Sequence, residues 1–194
     1  MMRAVDFARL AAASYNDVPT VGDPDSASRM HVYTVGGEVV HVFRGTDDFA
    51  ASIADLGILT TNVPGLGEIH SGFYDALHRI LDRCFALPRP SAIAGHSLGA
   101  AMAQIYSALF ALQGVQIPCY AFEPPRVCAD ATMRGLFLRE DVPVYATRNG
   151  NDIVTQVPPE LSQAWPLLQI GTPSSAFDNV TDHMIENVIL ALPQ

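Results

Sequence analysis

Basic residues are scarce in this chain: 11 Lys plus Arg stand against 20 Asp plus Glu, a formal net charge of −9. Nucleic acids are recognised through a basic footprint, so this balance excludes DNA and RNA as expected partners. It also works against resting on anionic lipid by charge, although a local apolar patch can still dock there. Cysteine is scarce too, with Cys84, Cys119 and Cys128 an odd number at irregular spacing. That spacing fits neither zinc-ligand pairs nor a disulfide framework. The three read as small buried apolar residues, with one Cys119–Cys128 bridge left open. No run reaches the ~18 consecutive apolar residues of a membrane span, so no integral membrane segment is expected. The stretch MMRAVDFARLAAASY is not expected to be an apolar leader, because Asp6 and Arg9 interrupt it. The expectation is a leaderless cytoplasmic protein, with a secreted mature form as the alternative. Repeats, low-complexity tracts and charge blocks are absent, and residues 1–194 read as a single domain.

The chain does carry apolar substance, with 49% hydrophobic and 16% charged residues. At this length a full core forms without covalent staples. Val5, Phe7, Ala8 and Leu10 predict a short amphipathic helix at the start. Met30 to Val35 and Glu38 to Phe43 read as strands joined by Gly36–Gly37, a hairpin signal because both glycines tolerate positive φ. Phe49, Ile53 and Leu56 recur at helical spacing, and Phe73, Leu77, Ile80, Leu81 and Cys84 predict a longer helix over 71–87, ended by Pro88 and Pro90. Then strands and helices alternate. Apolar runs at 91–95, 117–122 and 142–147 are followed by helical patterns at 97–112, 130–140 and, after a loop, 183–190. Such alternation predicts an α/β fold, a mostly parallel central sheet flanked by helices and preceded by an antiparallel hairpin. Active sites in these sheets lie beyond the carboxyl ends of the strands.

Gly95-His96-Ser97-Leu98-Gly99 matches G-x-S-x-G. The bare pattern arises by chance about 0.06 times in such a chain, and its place between a strand and a helix adds the context a nucleophile turn needs. The glycines let neighbouring backbone approach while Ser97 takes a strained conformation with its hydroxyl projecting. A helix starting there aims the Leu98 N–H and the helix dipole at a developing oxyanion. Serine needs a base that an acid holds in place. Beyond a turn of this kind the partners follow in the order Ser, acid, His, and His183 is the one histidine after Ser97. The acid is less constrained. Asp152 follows the third strand and the turn Arg148-Asn149-Gly150-Asn151 and fits best, with Asp178 second. Asp130 reads as a helix N-cap. The strand ending at Phe43 runs into Arg44-Gly45-Thr46, where Thr46 offers a backbone N–H and a hydroxyl as a second oxyanion donor.

Together these segments resemble the class 3 lipase family, the triacylglycerol lipases of filamentous fungi and related plant and bacterial acylhydrolases. The matching pieces are LAAASY at 10–15, VFRGT at 42–46, IADL at 53–56, HSGFYDAL at 70–77, GHSLGAA at 95–101, PPRV at 124–127, NDIVTQVPP at 151–159 and DHM at 182–184. The resemblance implies an α/β-hydrolase fold with Ser97, Asp152 and His183 as a catalytic triad. It implies an oxyanion hole of Thr46 and the Leu98 N–H, with Asp55 orienting the Thr46 hydroxyl. It further implies a helical lid at about 47–57 whose Phe49, Ile53 and Leu56 cover an apolar cleft, an ordinary packed helix being the alternative. The activity implied is that of a serine carboxylic ester hydrolase, acting on acylglycerols through an acyl-enzyme. Phospholipase A1, thioester or amide hydrolysis, and a non-catalytic membrane-docking module are the alternatives. The expected partner is a small-molecule or lipid ester, with transient docking at a lipid interface; no metal or organic cofactor is implied. In one departure, the glycine usual before PRV is replaced, giving Phe122-Glu123-Pro124-Pro125, so a different edge to the acyl pocket is expected. The chain is also shorter than the secreted fungal enzymes, so long-chain triglyceride specificity is not carried over.

Overall fold

The computed structural model describes residues 2–46 and 58–194. β-Branched and aromatic residues either side of Gly36–Gly37 form β2 (Arg29–Val35) and β3 (Glu38–Phe43), after a two-residue β1 (Val21–Gly22). Val35 pairs with Glu38, so the two glycines alone make the turn, at φ +59° and +85°. β4 (Thr60–Val63) and β5 (Gly67–His70) form a separate antiparallel pair. β6 (Ala92–His96), β7 (Cys119–Phe122), β8 (Val144–Asn149) and β9 (Leu168–Ile170) complete the main sheet. Its order is β1-β2-β3-β6-β7-β8-β9, antiparallel up to β3 and parallel from there on.

Helices cover both faces. α1 (Ala4–Ala13) and α6 (Ile185–Ala191) bury Val5, Phe7, Ala8, Ile185 and Val188 on one side, where Val40, Val42, Ala92 and Ala94 point. α2 (Ser71–His78), α3 (Leu81–Phe85), α4 (Leu98–Ala111) and α5 (Thr132–Arg139) share the other core with Phe43, Ile93, Cys119 and Ala121. The strands thus alternate faces at period 2, and both faces are apolar, as a parallel sheet between helices requires. The Phe7 ring stacks on Tyr120 with centroids 3.8 Å apart. Every residue of α4 except Leu109 is buried, which explains a helix that is apolar all round.

Three local expectations are corrected. The helix expected over 71–87 is two, because the chain steps at Arg79–Ile80: the Ile80 N–H turns to Leu77 O and Cys84 N–H to Ile80 O. The buried set Phe73, Leu77, Ile80 and Cys84 continues across the break, so periodicity alone could not show it. The strand expected at 142–147 starts later and runs to Asn149. Asp130 lies two residues before α5, where its Oδ1 accepts the Thr132 N–H at 2.8 Å and its Oδ2 that of Glu68 at 2.8 Å. The three cysteines are buried free thiols and the Cys119–Cys128 bridge is not formed. Burial pushes the Cys84 and Cys128 thiols up to about 12. Among the described residues no helix is long and apolar enough to cross a membrane.

Candidate active site

β6 ends at His96, and Ser97 turns the chain into α4 with φ 59° and ψ −129°. An L-residue holds such a conformation only when its surroundings enforce it. They do so here by close approach. A side chain at Gly95 would collide with the Gly99 carbonyl, and one at Gly99 with the Phe43 carbonyl. The Ser97 N–H donates to Phe122 O at 3.0 Å, tying the turn to the end of β7. Ser97 is fully buried, and its Oγ has no hydrogen-bond partner among the described residues.

Beyond β8, Asp152 stands on the loop that begins at Gly150, fully buried. Its Oδ1 accepts the Val154 N–H at 2.9 Å and its Oδ2 the His183 Nδ1–H at 2.9 Å. In the neutral ring that bond leaves the basic lone pair on Nε2, the tautomer a general base requires. The loops bearing Asp152 and His183 are laced together through Asp182. Its carboxylate accepts N–H bonds from Asn151 at 2.8 Å and Ser174 at 3.1 Å, and from the Asn179 side chain at 3.0 Å; its carbonyl accepts Asn149 Nδ2–H at 2.9 Å. Burial works against the Asp182 charge, but the bonds from Ser174, Asn151 and Asn179 prevail and hold its carboxyl below the usual range. Asp178, the second acid candidate, instead pairs with Arg148 at 3.0 Å on the surface.

Leu98 is the first residue of α4, a position whose N–H has no acceptor within its own helix. The Arg44-Gly45-Thr46 loop crosses the elbow. A side chain at Gly45 would stand 3.1 Å from Ser97 Cβ and 2.8 Å from His96 O, and would collide with the Tyr15 hydroxyl. The Thr46 Oγ1 is buried with no hydrogen-bond partner among the described residues. The remaining expected positions, Asp55 and the lid residues Phe49, Ile53 and Leu56 within 47–57, lie outside the described residues. Among the described residues no group of three His, Cys, Asp or Glu side chains could hold a metal ion.

Two further residues belong to this site. His96, which precedes Ser97 in the chain, is a clamp. Its Nε2–H donates to the His183 carbonyl at 2.8 Å, its Nδ1 accepts the Tyr15 hydroxyl at 2.7 Å, and its ring lies 4.7 Å from the His183 ring. Burial, and then the neighbouring His183, hold its imidazole well below the usual histidine range, so it stays neutral. These partners sit 81 and 87 residues away in the chain, beyond the reach of any local pattern. Glu123, expected to border an acyl pocket, is instead wholly buried against Asp152. The one signal for it in the sequence is an acid where the resemblance leads to a glycine.

Residues 40–162 match the family model described as Lipase (class 3). Among solved structures the chain is similar to the mono- and diacylglycerol lipase from Aspergillus oryzae, with a TM-score of 0.72 and 20% identity over 95% of this chain and 86% of that one. It is also similar to MDLA from Penicillium cyclopium (TM-score 0.70, 20% identity, 93% and 82% covered). A third likeness is to Rhizomucor miehei lipase in its propeptide complex (TM-score 0.67, 19% identity, 97% and 74% covered). At these identities the likeness establishes the fold, which is that of the α/β-hydrolases. No curated protein sequence matches the chain significantly.

Proposed function

Because the chain belongs to the class 3 lipase family and is a carboxylic ester hydrolase, we propose that Ser97, His183 and Asp152 are its catalytic triad and acylglycerol-type lipid esters its substrates. Ser97 Oγ attacks the ester carbonyl while His183 Nε2 takes its proton, and Asp152 keeps the imidazole in the required tautomer. The Leu98 N–H and Thr46 stabilise the tetrahedral oxyanion. The alcohol leaves with the proton from the imidazolium, and water activated by His183 then frees the acid from the acyl-enzyme. The observations that carry this reading are the 2.9 Å bond from His183 Nδ1 to Asp152 Oδ2 and, in the turn after β6, a buried serine at φ 59°.

Ser97→Ala is expected to lower turnover of a p-nitrophenyl ester by about 10⁴-fold or more. Near-native turnover in that variant would overturn the assignment. The substrate class has its own test, an acyl-chain-length series run with and without an oil–water interface. A rate that jumps above the substrate's solubility limit supports docking at a lipid interface. Plain saturation by short soluble esters points away from acylglycerols.

A further inference from the structure

Glu123 occupies a costly position. Its backbone lies at φ 53°, in the left-handed region that glycine enters freely and other residues enter at a penalty of about 1 kcal/mol or more. Its carboxyl is completely buried. Oε1 accepts the Thr147 hydroxyl at 2.9 Å and Oε2 the Asn149 N–H at 2.7 Å, so both oxygens are fixed by β8. The charged group that acts on Glu123 is the carboxylate of Asp152, itself fully buried and already bound to Val154 N–H and His183 Nδ1–H. Two carboxyls in contact away from water do not both ionise; one keeps a proton and donates it to the other.

We propose that Glu123 is a positioning residue for the triad, an uncharged carboxylic acid whose O–H donates to Asp152 and spreads the charge that Asp152 presents to His183. This rests on the triad reading above. The proton belongs on Glu123 because Asp152 faces the imidazole and accepts two N–H bonds, both of which favour its anion. Burial, and then the Asp152 charge, push the Glu123 carboxyl well above the usual range; the bonds from Asn149 and Thr147 do not offset them. Asp152 is the charged neighbour acting on it among the described residues, and His183 and His96 lie beyond Asp152. Glu123 also ties the end of β7 to Asn149, whose carbonyl accepts the Asp152 N–H at 3.1 Å and whose side chain holds the His183 loop through Asp182. One side chain thereby sets the place of the acid and the strength of the base.

The test compares the native protein with Glu123→Gln and Glu123→Ala by the pH dependence of kcat/KM on a soluble ester, with folding checked by thermal unfolding. Glu123→Gln keeps an uncharged donor, and the acid limb is expected to stay in place. Glu123→Ala exposes His183 to the full Asp152 charge, so the limb moves to higher pH by about half a unit or more. Its kcat falls by up to about 10²-fold with KM little changed. A downward shift in Glu123→Gln would mean that a carboxylate had been removed, and an unmoved limb in a folded Glu123→Ala would mean a merely structural role; either overturns the proposal. Infrared spectroscopy decides independently of catalysis. The folded native protein with carbon-13-labelled glutamate should show a label-sensitive protonated-carboxyl band at neutral pH, lost in Glu123→Gln, and absence of that band in the native protein contradicts it. Loss of the triad reading would leave the infrared result intact, so the two failures are separable.

Discussion

Ser97 is held in a backbone conformation that costs of order 1–3 kcal/mol, with a buried hydroxyl that no described residue satisfies. Glycine at that position would relieve the strain. Ser97→Gly is therefore expected to raise the melting temperature by about 2–4 °C, the effect of roughly 1 kcal/mol at this chain length, while abolishing ester turnover. Calorimetry beside an esterase assay checks it, and a destabilised variant would show that the elbow stores no strain. In the proposed triad Asp152 acts through geometry and charge together. An amide at that position would favour the wrong imidazole tautomer, so Asp152→Asn should lose about 10⁴-fold in kcat with the fold intact. Single-turnover kinetics on a p-nitrophenyl ester would expose a smaller loss. His183 could be singled out by its place after Ser97, and Asp152 by its place after a strand and turn. The contacts of His96 and Glu123 could not be foreseen, although Glu123 stood out as a departure, because they exist only once β6, β7 and β8 lie side by side.

At the scale of elements, the elbow works because α4 and β6 touch without side chains between them. Gly99→Ala would push a methyl into the Phe43 carbonyl, rigid backbone that cannot yield. A loss of about 1–3 kcal/mol or more is expected. Gly135 is the contrasting case, an exposed helical glycine in α5 with nothing within 4 Å of the place an added methyl would take. Gly135→Ala should stabilise by about 0.5–1 kcal/mol. Chemical denaturation of the two variants tests the contrast, and matching signs would contradict it. The same distinction explains what could be foreseen. α1, the Gly36–Gly37 hairpin and the strand–turn–helix at Ser97 are specified within a dozen residues, by periodicity or turn chemistry. β9 is three residues long and mostly exposed, and β4 and β5 flank a Pro64–Gly65 turn with only four residues each. Their pairing depends on partners more than on pattern. The step at Ile80 follows from tertiary packing and leaves the apolar period unchanged.

The molecule as a whole folds around histidines that are kept neutral. Burial lowers His96 and His31, and pushes His41 down to about 4. Below about pH 6.5 the unfolded chain takes up protons there that the native state refuses. Stability is therefore lost on acidification from neutral pH, by about 1.4 kcal/mol per pH unit for each proton of difference. Glu123 has the opposite sign. Raised in the fold, it keeps a proton that the unfolded chain releases above about 4.5, so it lowers stability as pH rises from there. Three histidines outweigh it. Asp182, held low in the fold, adds a further loss at more acid pH as its own carboxylate is protonated. The melting temperature should fall from pH 7 to pH 5, and less steeply in His41→Gln. A flat or rising profile would contradict this charge arrangement. The proposed nucleophile is Ser97, and covalent trapping is its most direct test. With a fluorophosphonate and mass-spectrometric mapping, one adduct is expected on the peptide bearing Ser97, absent in Ser97→Ala and formed far more slowly in His183→Ala. An adduct elsewhere, or undiminished labelling in Ser97→Ala, would contradict it.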